Sequence, residues 1–304
     1  MALPLDIPNR PAYAVGAMLL ATAFIAATTL LAKALGTNAL GEPLHPFQVS
    51  HGRFLFAAIA IGLVALVLRP KIIEPNLRLH IIRCVFGWAG VSLMFAAAAR
   101  IPLSDATAIS FLNPVFAMML AIPLLGEKVG PWRWAAAGIA LVGALVLLRP
   151  GPDSFQVAAL LALGAAMMMG VEVICIKRLA RMEGPFQILI INNAIGLCIA
   201  TVAVLAVWQP PNPAQWGALA ALGVLMACAQ TCFLQAMRFA DATLTLPMTY
   251  ATLVFAALYD AWLFGVIPDA VSVLGAAIIV SGAALLAWRE ALRRAPRPST
   301  DTQS

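Results

Sequence analysis

Apolar runs of about 20 residues recur along this chain, parted by short polar breaks. A helix of that length crosses the roughly 30 Å hydrocarbon core of a bilayer. Composition agrees: 62% of the 304 residues are hydrophobic and 11% are charged. A soluble domain averages about 45–50% and about 25%. No alternating barrel pattern is visible, and lipid admits only helices or closed barrels. The runs predict helices over 12–35, 47–68, 77–99, 104–125, 131–148, 155–176, 186–208, 214–237, 241–264 and 269–288. The expected fold class is therefore an all-α integral membrane protein.

The chain also reads as a duplication. Pro46-Phe47-Gln48 returns 139 residues later as Pro185-Phe186-Gln187. Pro114-Val115-Phe116-Ala117 aligns with Leu253-Val254-Phe255-Ala256 at the same offset, as do Gly126 with Gly265 and Gly143 with Gly282. Each copy holds five predicted helices, and an odd number turns the second copy upside down. The expected architecture is ten transmembrane helices in two inverted five-helix repeats. In secondary transporters such repeats place the solute site where they meet. The boundaries read as a tail over 1–11, a first repeat over 12–148, a periplasmic linker over 149–154, a second repeat over 155–288 and a disordered tail over 289–304.

Charge orients this scheme. With the N-terminus inside, fifteen of the nineteen Lys and Arg residues fall on the inner side; Lys33, Arg53, Arg100 and Arg149 fall outside. That bias follows the positive-inside rule and puts both termini of a multi-pass membrane protein in the cytoplasm. The net charge of +6 is then topology and not a nucleic-acid footprint. Asp6 ahead of Arg10, a long first apolar stretch and nine further spans argue against a cleavable signal peptide. Cys84, Cys175, Cys198, Cys228 and Cys232 all fall in predicted helices, where small packing residues are the simpler reading than a disulfide or metal set.

Polar groups inside lipid are costly, so each asks for a reason. Asp260, about one turn from the outer end of the ninth helix, reads as a coupling carboxylate, or else as the ion-pair partner of Arg53 or Lys33. Glu172, near the inner end of the sixth helix, faces the same choice between ion coupling or gating and a structural pair with Arg83. Arg53 lies two turns into the second helix. With Lys33 and Arg100 it makes the outer half electropositive and suited to an anionic group; snorkelling to the interface is the alternative. Trp88, Asn113, Asn192, Gln230, Thr249 and Tyr250 could bind a polar solute or join helices by hydrogen bonds. Pro114 and Pro247 interrupt corresponding regions of the two copies. The small residues of the fifth and tenth helices, Ala135 to Ala144 and Gly275 to Ala284, suit a scaffold or dimer contact.

In order and spacing these residues resemble the drug/metabolite transporter superfamily, in its ten-helix EamA type, over about residues 12–288. The carriers of the resemblance are Pro46 to Arg53, Asn113-Pro114-Val115-Phe116, Leu124-Leu125-Gly126-Glu127, Trp134, Gly138 to Gly143, Val254-Phe255-Ala256-Ala257 and Leu263-Phe264-Gly265. The second copy departs from the pattern at Val266, Leu253 and Asn192, the last standing where the first copy has Arg53. The resemblance implies alternating-access transport of a small organic solute such as an amino acid derivative, riboflavin or S-adenosylmethionine. No P-loop occurs, so an ion or solute gradient must supply the energy. Expected partners are a small-molecule substrate, membrane lipid and, if coupled, protons, in a monomer or homodimer; no cofactor and no nucleic acid is called for. Rival readings are a flippase for a lipid-linked headgroup and a polytopic membrane enzyme. For the enzyme only the Tyr259-Asp260 pair speaks, without its usual Gly-x-Gly-Asp mate.

Overall fold

A computed structural model describes residues 11–70, 72–113, 115–117, 119–120, 131–148, 158–179, 182–239, 249 and 251–294. Its helices are α1 (Pro11–Leu35), α2 (Pro46–Leu68), α3 (Leu77–Ala98), α4 (Leu103–Ser110), α5 (Pro131–Leu148), α6 (Ala159–Leu179), α7 (Pro185–Val204), α8 (Pro213–Phe239), α9 (Ala251–Phe264) and α10 (Ala270–Arg294). Six stretches, 12–35, 46–68, 77–98, 159–176, 186–204 and 213–233, are long and apolar enough to cross a membrane. The chain is a multi-pass membrane protein with a helical fold. Its outward face is apolar: Leu66, Val67, Trp262 and Ile267 are each more than 70% exposed. Lipid and not water must cover such a surface.

Local chemistry sets the helix ends. His45 caps α2 by accepting the Phe47 N–H at 3.2 Å, and Pro46 fills the first turn. Asn76 caps α3 through Oδ1 on the Leu79 N–H at 3.1 Å. At the end of α2, Arg69 turns left-handed (φ 43°) and its N–H returns to the Ala65 carbonyl.

Two predicted elements change. The helix expected over 104–125 is not continuous: α4 stops at Ser110, Phe111 and Leu112 form a turn, and helix resumes at Asn113. The N–H groups of Phe111, Leu112 and Val115 reach back only three residues. The cause is in the sequence, since Pro114 has no N–H for the Ser110 carbonyl. At the other end residues 289–294, expected to belong to a disordered tail, are helical: α10 continues to Arg294, and 295–304 lie outside the described residues. Trp288 through Arg294 contains no helix breaker, and Pro296 follows. The helix expected over 241–264 is described from Ala251 onward, while the 149–154 linker lies outside the described residues.

The packing is reciprocal. α1 lies along α8 and α3 along α6; α2 touches α7 and α8, and α3 touches α7. α1 also meets α9, α4 meets α6 and α9, and α5 pairs with α10. Advancing both members by five helices turns α1–α8 into α6–α3, α2–α8 into α7–α3 and α1–α9 into α6–α4, and all of these contacts occur. The α5–α10 pair is close because Gly143 has no side chain: a Cβ there would sit 2.7 Å from the Ile279 nitrogen and 2.8 Å from the Gly275 carbonyl. The small residues of these two helices thus make a scaffold within the chain.

Candidate functional site

Between α1, α2, α3, α4, α6, α8 and α9 lies a cavity of about 220 Å³. Arg53, Thr28, Thr29, Thr107, Ser110 and Thr252 give it a polar side. Met94, Met169, Met226, Phe95 and Phe111 give it an apolar one, and Thr249 completes it. The hydroxyl hydrogens are largely committed to helix carbonyls: Thr28 and Thr29 to Ile25, Thr107 to Leu103, Ser110 to Thr107. Their oxygens remain as acceptors. Arg53, by contrast, offers only donors. It is buried and stacks its guanidinium over the Phe54 ring at 4.7 Å. Among the described residues no carboxylate lies within 4.0 Å of it. A buried cation facing a cavity is the group that an anionic ligand would complete.

A charged cluster sits beside the cavity. Arg83 Nη2 lies 3.5 Å from Glu172 Oε1, the pair expected from sequence. Glu172 also interacts electrostatically with Arg53. Its carboxylate rests against α3 at Gly87, where any Cβ would meet it at 2.8 Å. Glu172 thus contacts Arg83 directly and feels Arg53 only at longer range.

The two ends of the bundle are tied by different groups. At the Lys33 end, Lys33 Nζ pairs with Asp260 Oδ1, and Asp260 Oδ2 accepts the Leu103 N–H at 2.8 Å. This buried carboxylate therefore joins α1, α9 and the start of α4, and of its two sequence-predicted partners Lys33 is the one it meets. At the opposite end, Glu183 accepts His80 Nε2 at 2.9 Å, Gln187 Nε2 at 2.7 Å and the Asn76 N–H at 2.9 Å. Burial pushes the Glu183 carboxyl upward, but the three donors outweigh it and hold the group below the ordinary glutamate value.

The repeated Pro-Phe-Gln motif acts at both ends. Gln48 Nε2 donates to the Gln209 carbonyl at 2.6 Å, and its Oε1 accepts the Gln209 N–H at 3.1 Å. Gln187 holds the backbone of Ile73 in the same way, at 3.1 and 2.9 Å. Each amide grips a loop belonging to the other half of the chain.

Of the other sequence candidates, Arg53 and Thr249 line the cavity. Trp88 packs against Phe47 with ring centroids 5.0 Å apart and planes tilted by 42°; its Nε1 and the Gln230 Oε1 are buried without a hydrogen-bond partner among the described residues. Asn192 accepts the Cys84 thiol at 3.5 Å on the α3–α7 contact, away from the cavity lining. Asn113 is half-buried at the α4 break, also outside the lining, and Tyr250 lies outside the described residues. Sequence reasoning missed three groups. Asp105, on α4, is 2% exposed and accepts the Ser272 hydroxyl at 3.0 Å. Glu183, beyond the end of α6, and His80, in the first turn of α3, were not singled out. An acid two residues inside an apolar run was the available signal for Asp105. Among the described residues no group of three His, Cys, Asp or Glu side chains could hold a metal ion.

The chain is similar in sequence to proteins named as transporters. A riboflavin transporter of Vibrio cholerae serotype O1 is 31% identical over 236 residues, covering 75% of this chain and 79% of its own. One from Rhizobium johnstonii is 33% identical over 72% of this chain and 73% of its own. An S-adenosylmethionine uptake transporter of Rickettsia prowazekii is 26% identical over 83% and 86%. A solved crystal structure at 22% identity shares the fold, with a TM-score of 0.61 over 92% of this chain and 99% of that one. The model of the EamA-like transporter family matches residues 12–149 and 156–288, nearly the whole length, and the chain belongs to that family.

Proposed function

We propose that this protein is a secondary transporter that carries a small polar organic metabolite, amino-acid-like or cofactor- and vitamin-like, across a bacterial inner membrane by alternating access. The observation that carries this is the cavity around Arg53, enclosed between two polar-tied ends. Relatives named for riboflavin and S-adenosylmethionine make those two compounds the first substrates to try. The aromatic and methionine wall suits a flat ring, and Arg53 suits a carboxylate or another electron-rich edge.

The same reading assigns roles to the charges. Substrate at Arg53 competes with Glu172, loosens its hold on Arg83 and so couples cavity occupancy to the α3–α6 contact. Protonation of Glu172 would do the same, which is how a proton gradient could drive the cycle. Asp260 with Lys33 acts as a gate at one end. The proposed architecture is ten helices in two inverted repeats with both termini cytoplasmic. It is supported by the reciprocal helix contacts, the two amide clamps and the charge bias. A ligand shifts such an equilibrium only through differential affinity for its states, and an ion contact present in one state supplies that difference.

The test is uptake of labelled riboflavin and S-adenosylmethionine into proteoliposomes. Arg53→Gln should raise the apparent KM about 10- to 100-fold, the range for a lost hydrogen bond to a charged group. Unchanged KM for a transported substrate would remove Arg53 from recognition.

A further inference from the structure

A second cavity lies on the outside of the bundle, at the His80 end, and among the described residues it shares no lining residue with the one at Arg53. It measures about 620 Å³ and is lined by Asn76, Arg78, Leu79, Ile82, Arg178 and Met182. Arg78 is the second residue of α3 and Arg178 the next to last of α6, so both guanidinium groups belong to the ends of membrane-spanning helices. Both arginines are exposed. Leu79, Ile82 and Met182 give the groove an apolar wall, with Ile82 39% and Met182 49% exposed. The Asn76 Oδ1 is taken by the Leu79 N–H, which leaves its NH2 as a further donor. In sequence Glu74 stands four residues before Arg78, and Glu183 follows Met182. Glu183 is buried, with its oxygens taken by His80, Gln187 and Asn76.

We infer that this groove binds an acidic glycerophospholipid from the adjoining leaflet, with its phosphodiester between Arg78 and Arg178 and an acyl chain along Ile82 and Met182. Guanidinium forks match phosphate oxygens, and basic pockets between helices at the membrane surface suit anionic headgroups. A soluble anion would use the rim and leave the apolar wall wet, whereas a lipid satisfies both. The site also spans the two segments that Glu183 ties together, Asn76 on one side and the loop holding Met182 on the other. Bound lipid would therefore brace that end of the bundle. None of this depends on the substrate or on the direction of transport.

The experiment is thermal unfolding of the purified full-length chain in neutral detergent, titrated with phosphatidylglycerol, phosphatidylcholine or glycerol phosphate. The expected result is saturable stabilisation by phosphatidylglycerol alone. In Arg78→Gln/Arg178→Gln its apparent affinity should fall roughly 30-fold, with the melting temperature in detergent unchanged. Ile82→Trp, which fills the apolar wall and keeps both arginines, should weaken it too. Equal stabilisation by phosphatidylcholine, a full effect of glycerol phosphate, or an undiminished response in either variant would overturn the proposal.

Discussion

The two ends of the bundle hold the same backbone device but different charge chemistry. Gln48 at the Lys33 end and Gln187 at the His80 end each grip a loop backbone through both amide atoms. Around Gln48 the neighbouring contacts are amide and backbone: Asn212 and Gln215 reach the Leu40 and Glu42 carbonyls at 2.8 and 2.7 Å. Around Gln187 a carboxylate and an imidazole join in. The charged lock at the Lys33 end stands apart from its amide clamp, on α1 and α9. The two copies of the Pro-Phe-Gln motif thus hold loop backbones in the same way, while the titratable groups around them differ. One end is locked by a lysine–aspartate pair, the other by a cluster that includes a histidine.

Substitutions can break or sharpen that contrast. The largest effect is expected from Asp260→Leu, which strands a buried Lys33 and frees the Leu103 N–H. Removing one partner of a buried pair costs about 3–5 kcal/mol. Lys33→Met/Asp260→Leu should recover more than half of that loss in thermal unfolding. A double variant no more stable than the single would mean that the charge pair is not what holds this end.

Next in size are the clamps. Gln48→Leu and Gln187→Leu each remove two hydrogen bonds to a loop backbone, for about 1–3 kcal/mol apiece. Gln187→Leu should cost more, because its Nε2 also serves Glu183 at 2.7 Å. The reverse ranking in denaturation would show that the carboxylate cluster adds nothing to the second clamp.

The smallest effect is on pH dependence. Glu183 is held below its ordinary value of 4.5 in the folded protein. Its contribution is therefore full above 4.5 and fades as pH falls through the lower folded value. Glu183→Gln should flatten stability in that acidic window and leave neutral pH nearly unaltered on the slope. A wild-type slope retained in the variant would assign the acid sensitivity elsewhere.

Much of the fold was legible in the chain. Lipid demands that each spanning segment satisfy its own backbone, so length and hydropathy alone located α1, α2, α3, α5 and α8 to within a residue or two. The break after Ser110 was foreshadowed by Pro114, and the closeness of α5 and α10 by Gly143 and Gly275. Arg53 and Glu172 stood out because a charge inside lipid is rare enough to need a purpose. Lys33 was one of two cations, with Arg53, that sequence offered Asp260 as an ion-pair partner, because few cations share its end of the bundle.

Local pattern could not say which buried groups meet. Asp260 reaches Lys33 from 227 positions away, and Glu183 joins His80 across 103. Those meetings follow from how helices cross, which hydropathy does not encode. Asn192, left by sequence between a solute contact and a helix–helix hydrogen bond, meets Cys84, because side-chain direction depends on helix rotation and not on depth. The sequence by itself determined a membrane-embedded helical chain with a repeated motif and a few costly charges. Only the tertiary structure decided that Arg53 faces a cavity, that Asp260 is neutralised by Lys33, and that two identical tripeptides clamp opposite ends. Burial energy depends on each residue's own chemistry, whereas pairing energy depends on a neighbour that the chain must fold to supply.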